Sequence, residues 1–432
     1  MSVPLPPHRR LPRSLYLHIP FCHRRCFYCD FPVVPLGDRA DGSHSASVAH
    51  YLKQLQQDLA AAPAGPPLST LYVGGGTPSI LSPAQLGALL DQVRGHWGLA
   101  PGAEVTLEMD PASFDRARLE AVLALGVIRV SLGGQSFNDG VLAGLGRRHN
   151  AQQLREACGW LRAACSSRGL ASWSLDLIVN LPNQSAADWR QELEAALAEA
   201  APHLSIYDLI VEAGTVFERR QRQGTLALPE EEAAAERLAF THQQLAAAGY
   251  GHYEISSWAL PGHSSRHNRV YWSGASWWAC GLGSTAGVNG QRLARPRTRE
   301  AYAAWLQQRA GAQSEGPAAG APAAVGALPP LDDLLLVGLR RREGVNLAWL
   351  EASGAWPHPQ PLAEALAAPL APWLQRGLVR LEGQQLRLVP PEGFSLSNAV
   401  LRDLLAWWEQ QDLGLGPGDP PAAPAPSPAG PR

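Results

Sequence analysis

The stretch Leu15-Tyr16-Leu17-His18-Ile19-Pro20-Phe21-Cys22-His23-Arg24-Arg25-Cys26-Phe27-Tyr28-Cys29 runs a short apolar, β-rich segment directly into three cysteines spaced C-x3-C-x2-C. It is the first of six such switches between short β-rich runs and longer amphipathic stretches, which continue to about Ala259. The later strands are expected near Ser69–Gly74, Glu104–Glu108, Val127–Leu132, Trp173–Val179 and Leu204–Ile210. Helical patterns lie between them, over Val48–Ala61, Pro83–His96, Arg116–Leu125, Gln152–Ala164, Ala186–Ala200 and Glu230–Ala248. Ser82 with Gln85 reads as a capping box, and Pro83 takes the first helical position. Strand–helix alternation at this spacing predicts an α/β fold with a parallel sheet, either open and doubly wound or a complete or partial (β/α) barrel. In both, ligands gather at the carboxyl ends of the strands.

Three thiolates this close can hold one face of a cubane iron–sulfur cluster and leave the fourth iron without a protein ligand. Zinc would need a fourth donor, from His23 or from the distant Cys158, Cys165 or Cys280. Six cysteines in 432 residues, half of them crowded into one loop, do not form a disulfide framework. The balance of 36 Lys+Arg against 38 Asp+Glu draws the chain neither to nucleic acid nor to an anionic membrane. Lys53 is the only lysine and sits mid-helix by pattern, which speaks against Schiff-base chemistry.

The ends and one internal stretch have a different texture. Residues 1–13 are rich in Pro and Arg, lack the apolar run of a secretory signal, and are expected to be flexible. No stretch approaches the roughly 18 apolar residues of a membrane helix, so a cytoplasmic protein without a transmembrane segment is expected. Residues 14–310 are expected to form the main unit and the Gly/Ala/Pro-rich 311–330 a linker. Residues 331–413 read as a small α+β winged-helix-like domain: helices over Leu331–Arg340, Leu362–Arg376 and Ser397–Glu409, and a hairpin over Gly377–Leu388. Residues 414–432 read as a disordered tail. That domain lacks a basic stripe, so no nucleic-acid partner is expected.

With Tyr28 directly before Cys29, the cysteine motif resembles that of the radical S-adenosylmethionine superfamily. The resemblance implies a partial (β/α)6 TIM-like barrel and a [4Fe–4S] cluster on Cys22, Cys26 and Cys29. It further implies S-adenosylmethionine chelating the open iron and undergoing reductive cleavage. It assigns contacts with this cofactor to Tyr16, Gly75, Thr77, Glu108, Gln135, Arg147 and Asp176. The loop Val73-Gly74-Gly75-Gly76-Thr77-Pro78-Ser79 would hold its amino group, and the Arg147 fork suits its carboxylate.

A wider set of segments resembles the oxygen-independent coproporphyrinogen III oxidase group: Gly133-Gly134-Gln135-Ser136-Phe137, Leu145-Gly146-Arg147-Arg148-His149, Asp176-Leu177-Ile178, Tyr253-Glu254-Ile255-Ser256 and Leu396-Ser397-Asn398. Within it, three features favour the HemW-type haem-chaperone branch over the decarboxylase. Phe31 stands where the decarboxylase has a further cysteine, only 21 residues precede Cys22, and His267-Asn268-Arg269-Val270-Tyr271-Trp272 matches that branch's HNxxYW motif. His267 could ligate haem iron while Tyr271 and Trp272 face the macrocycle. The resemblance thus implies a protein that binds haem and passes it to acceptor haemoproteins, with a low-potential donor such as ferredoxin or flavodoxin. The alternative is oxidative decarboxylation of coproporphyrinogen III. Asp110 departs from the group's usual Asn but keeps its turn chemistry, Asn180 and Asn183 depart from a Gly-rich loop, and Ser257 replaces an Asn.

Overall fold

The computed structural model describes residues 11–37, 42–167, 169–314, 331–356 and 358–411. Most of the expected flexible N-terminus, the linker beyond residue 314 and the tail lie outside the described residues.

Six parallel strands come from the six expected units: β1 (Ser14–Ile19), β2 (Leu68–Gly75), β3 (Leu99–Met109), β4 (Arg129–Gln135), β5 (Ser172–Val179) and β6 (His203–Asp208). Helices α1 (Ala46–Ala60), α2 (Pro83–His96), α3 (Arg116–Ala124), α4 (Ala151–Ser166) and α5 (Ala186–Ala198) return the chain between them, and α6 (Glu231–Ala247) follows β6. The Ser82/Gln85 capping box and Pro83 mark the start of α2 as the sequence implies. Three further strands complete a nine-stranded sheet: β7 (Gly251–Glu254), β8 (Ser257–Ala259) and β9 (Trp278–Cys280). The order is β9-β1-β2-β3-β4-β5-β6-β8-β7, with β9 parallel to β1 and β8 antiparallel to β6. The sheet curves into a partial barrel that its two edge strands leave open.

Period-2 alternation divides the strands between two environments. Leu71, Val73, Leu107, Val130, Leu132, Leu175, Leu177, Leu204 and Ile206 are buried in the main apolar core. The alternate positions, Thr70, Thr106, Arg129, Ser174, His203 and Ser205, are buried and polar. The barrel interior is therefore a hydrogen-bonded layer, in contrast to the aliphatic filling of many closed barrels.

That interior is closed from below by α7 (Arg266–Trp272), which carries the HNxxYW segment. Glu104 accepts the backbone N–H groups of Arg266 (3.1 Å) and His267 (2.9 Å), and Arg266 Nη1 donates to the Gly102 carbonyl at 2.7 Å. At the opposite seam, Asp58, only 1% exposed, accepts from Gly281 N, Tyr302 Oη and the Arg295 guanidinium at 2.9–3.3 Å. This ties α1 to the chain following β9 and to α8 (Arg299–Ser314), which continues into the stretch expected as linker.

The C-terminal unit has its own core, built on residues such as Leu335, Leu350, Leu370, Leu386 and Val400. A short strand at Val345–Asn346 joins the hairpin of Val379–Glu382 and Gln385–Leu388, the wing arrangement expected of a winged helix. The single helix expected over Leu362–Arg376 is two, Leu362–Ala365 and Ala367–Gln375. Pro369 has no N–H to offer the Ala365 carbonyl, so the first helix stops there. The unit joins the sheet edge through Ile255 N to Arg340 O (2.8 Å) and Arg342 N to Tyr253 O (3.0 Å). Among the described residues no helix is long and apolar enough to cross a membrane.

Replacing Asp58 by Ala would leave the Arg295 guanidinium buried and unpaired, at a cost of about 3–5 kcal/mol. The expected result is a large fall in the denaturant midpoint with the slope unchanged; a midpoint within error of the parent would show that the seam does not depend on this carboxylate.

Candidate functional site

The loop after β1 is shaped by backbone bonds before any ligand is considered. Phe21–Cys22 pairs in parallel with Val34–Pro35, and the Leu36 and Gly37 N–H groups donate to the carbonyls of Cys22 (2.8 Å) and His23 (2.9 Å). Phe27 N donates to Leu145 O at 3.0 Å, and Phe217 N to Phe27 O at 3.0 Å, anchoring the middle of the loop to the far rim. Cys22, Cys26 and Cys29 are half-buried and none is in a disulfide. All three open on one cavity of about 450 Å³ at the carboxyl ends of the strands. Burial pushes the Cys22 thiol up to about 12, against a 3.5 Å hydrogen bond from the Thr77 hydroxyl. Burial also raises Cys29. A cationic metal core beside these sulfurs would reverse that cost, since a coordinating thiol is deprotonated outright.

Six of the seven residues assigned to S-adenosylmethionine line the same cavity: Gly75, Thr77, Glu108, Gln135, Arg147 and Asp176. Gly75 has φ +120°, and a Cβ there would meet the His18 ring at 2.7 Å. At Gly76 a Cβ would come within 2.9 Å of Cys22 Sγ, so only glycine keeps the space beside that thiol open. Glu108 accepts from Tyr72 Oη and from Gly75 N, both at 2.8 Å, and thereby fixes the glycine loop. Its desolvation outweighs these bonds and raises the carboxyl to about 7. Asp176 accepts from Ser131 and Ser174, each at 2.7 Å, and is likewise raised by burial. Gln135, in the left-handed region at φ 62°, buries an Oε1 that has no hydrogen-bond partner among the described residues. Such an orphan acceptor on a cavity wall is what a bound donor would satisfy.

Arg147 differs from the expectation of a fork open to a carboxylate. Nη2 is 2.5 Å from Asp110 Oδ2 and 2.9 Å from Gly133 O, and Nη1 is 3.6 Å from Cys26 Sγ. Asp110 is held well below the usual carboxylate range: burial opposes this, but the guanidinium and His149 prevail. Its change from Asn therefore does more than preserve a turn. Tyr16, the seventh assigned residue, lies beneath the cavity with its hydroxyl 3.0 Å from His18 Nδ1 and its ring stacked on Tyr72. Asn180 is buried behind the cavity lining, donating to Asp208 of that lining at 2.8 Å and accepting from Arg237 at 2.9 Å.

His267, Tyr271 and Trp272 are not brought to this cavity. His267 is 0% exposed at the barrel floor, with Nδ1 2.7 Å from Thr70 Oγ1, Nε2 2.8 Å from Tyr271 Oη, and its ring stacked on Tyr72. Burial lowers its pKa to about 3, so it is neutral. Trp272 hydrogen-bonds Glu254 of the Tyr-Glu-Ile-Ser segment, whose Tyr253 hydroxyl lies 2.8 Å from His203 Nε2. In this conformation the motif interlocks the floor and both imidazole nitrogens are engaged.

Sequence reasoning missed Tyr72, Ser131 and Ser174, which hold the two rim carboxylates; their inward positions follow from the alternation of Tyr72-Val73, Ser131-Leu132 and Ser174-Leu175. It also missed the mouth, where Phe31, Tyr207 and Ile210 are among the few large apolar side chains exposed.

A carboxyl raised to about 7 in the folded state stabilises the fold fully below its unfolded value near 4.5, and that contribution is lost as pH rises through 7. The ligand-free protein is thus expected to lose melting temperature between pH 5 and 8, and Glu108→Gln to flatten that fall. An unchanged slope in the variant would remove Glu108 as its source.

The radical SAM superfamily model matches residues 16–196. The chain is 36% identical over 418 residues to a protein of Synechocystis named heme chaperone HemW, covering 93% of this chain and 98% of the relative. It is 38% identical to the Escherichia coli protein of the same name, over 67% of this chain and 74% of that one. In fold it is similar to the solved structure of coproporphyrinogen III oxidase, HemN, from Escherichia coli, a radical SAM enzyme. That match has a TM-score of 0.70, 21% identity, and covers 94% of this chain and 91% of the other. With the cysteine loop at the head of a parallel partial barrel and a relative this similar along nearly its whole length, the chain belongs to the HemW family within the radical SAM superfamily.

Proposed function

We propose that the chain holds a [4Fe–4S] cluster on Cys22, Cys26 and Cys29, takes S-adenosylmethionine beside it, and binds haem for delivery to acceptor haemoproteins. One observation carries the reading: three unpaired thiols meet an acceptor-rich rim at a single cavity on the carboxyl ends of parallel strands. A cubane takes one thiolate on each of three irons. For a cationic sulfonium that also bears an ammonium group, the fit lies in Glu108, Asp176 and the orphan Gln135 Oε1. Once bound, the two cofactors supply one-electron reductive cleavage of a sulfonium C–S bond.

The chain's own residues have separable parts in this. Glu108 orients Gly75, Tyr72 holds Glu108 from below, and Ser131 and Ser174 fix Asp176. Arg147 keeps Nε, which is buried and without a partner among the described residues, for a ligand carboxylate. Tyr16 acts through His18 and Tyr72. Haem delivery is supported by what the relatives' name says of them. Against the alternative, decarboxylation of coproporphyrinogen III, stands Phe31, half-exposed at the mouth where that branch has a further cysteine. Electrons would come from a low-potential donor such as ferredoxin or flavodoxin.

Haem ligation by His267, flanked by Tyr271 and Trp272, requires the imidazole to release Thr70 or Tyr271. A buried hydrogen bond of this kind is worth about 0.5–1.5 kcal/mol. Tyr271→Phe keeps the ring and frees Nε2, so haem affinity is expected to rise roughly 3- to 10-fold, whereas His267→Ala weakens it. Soret titration checks both, with melting curves to confirm folding. Unchanged affinity in both variants would move the haem site elsewhere.

Anaerobic reconstitution with iron and sulfide, followed by titration with haem and S-adenosylmethionine, tests the whole. The expected result is about four irons per chain, lost in Cys26→Ala, stoichiometric haem binding, and 5′-deoxyadenosine release on reduction. Uptake of zinc in place of iron would overturn the cluster reading, and conversion of coproporphyrinogen III to protoporphyrinogen IX would replace the chaperone one.

A further inference from the structure

We propose that the Asp110–Arg147 ion pair sets the reduction potential of the cluster carried by Cys26, with Asp110 as the positioning residue that offsets the guanidinium charge. The inference rests on the cluster reading above and adds to it a residue outside the ligand set.

The geometry is specific. Arg147 reaches Cys26 Sγ with Nη1 at 3.6 Å while Nη2 is committed to Asp110 Oδ2 at 2.5 Å and Gly133 O at 2.9 Å. The two side chains are 12% and 20% exposed, so their charges are poorly screened. Asp110 is fixed independently of the cysteine loop, whereas Arg147 also meets that loop through Tyr28 and through Arg24 Nη2, which donates to its carbonyl at 3.4 Å. Asp110 directly follows β3, with its Oδ1 accepting from Ala112 N at 2.9 Å, and Gly133 holds the arginine against β4. His149 is the other titratable group facing the carboxylate, its Nδ1 3.9 Å from Asp110 Oδ2.

One-electron reduction adds a negative charge to the cluster, part of it on the ligating sulfurs. Hydrogen bonds and positive charge at those sulfurs favour the reduced state and raise the potential. Arg147 alone would do this strongly in so sheltered a place. Asp110, in contact with the same guanidinium, cancels most of that field and leaves the directional N–H contact to sulfur. The pair thereby keeps the cluster strongly reducing while the cysteine loop stays pinned to the rim.

The test is a redox titration of the full-length, anaerobically reconstituted chain without S-adenosylmethionine. It follows the reduced cluster by electron paramagnetic resonance, with iron content measured in every sample. Asp110→Asn keeps the size and the hydrogen-bond acceptor but removes the charge. The ratio of reduced to oxidised cluster at a fixed donor potential is expected to rise about tenfold, a positive shift of about 59 mV. Asp110→Glu should restore the parent value, Arg147→Gln should shift it negative, and the double variant Asp110→Asn/Arg147→Gln should fall between the single variants. A purely structural role would change iron content without moving the potential. An unmoved or negative potential in Asp110→Asn at parental iron content overturns the inference; if that variant holds no iron, an unmoved potential in Arg147→Gln does so. A parent chain that assembles no four-iron cluster would instead sink the reading beneath it.

Discussion

A curved sheet with a polar inner face must satisfy its hydrogen bonds within itself, and this requirement organises the molecule. Leaving a buried donor or acceptor unpaired costs about 1–3 kcal/mol, so most inward side chains here are tied to a neighbour on another strand or on α7, Thr106 being an exception whose hydroxyl has no partner among the described residues. Ser174 is shared between Asp176 and His203, His203 reaches Tyr253, and Tyr72 connects Glu108 above to the ring of His267 below. These links set the depth of the cavity. Its floor is the layer of Tyr72, Ser131 and Ser174, and what lies beneath is filled by side chains.

Among the carboxylates that line the cavity, Glu108, Asp110 and Asp176 have environments that push them apart. Glu108 and Asp176 have only hydroxyl and amide donors, so burial prevails and both are raised. Asp110 faces a guanidinium and is lowered. These three thus comprise two acidic groups that a cationic ligand would ionise on arrival and one that is already charged and spoken for. Local partners decide which is which, since all three are buried at the same end of the sheet.

Much of the architecture could be read from the chain because its determinants are local. Alternation in Thr70-Leu71-Tyr72-Val73 or Ser174-Leu175-Asp176-Leu177, the Ser82/Pro83/Gln85 start of α2, and the tight cysteine spacing are all short-range signals. So were most cavity residues, since they sit at strand ends. What escaped depends on distant partners. Trp278–Cys280 carries no more β signal than many loops, and becomes a strand because β1 offers it an edge. His267 reads as an exposed ligand until Thr70, some 197 residues away in sequence, claims one nitrogen. The Asp110 role likewise needs Arg147, 37 positions on. The break before Ala367 is the exception: Pro369 announced it, and the apolar periodicity across Leu362–Arg376 obscured it.

The place of β1 in the sheet has a consequence for how the chain matures. This strand delivers the cysteine loop, yet it is flanked on one side by β2 and on the other by β9, with Leu15 paired to Trp278. During synthesis the first edge is covered early, while the second stays bare until Cys280 has left the ribosome. Closing so distant a pairing is slow, and an uncovered edge invites association with other chains. The loop that bears the three sulfurs therefore gains its final backing only when about two-thirds of the polypeptide exists, so its geometry is completed late in synthesis.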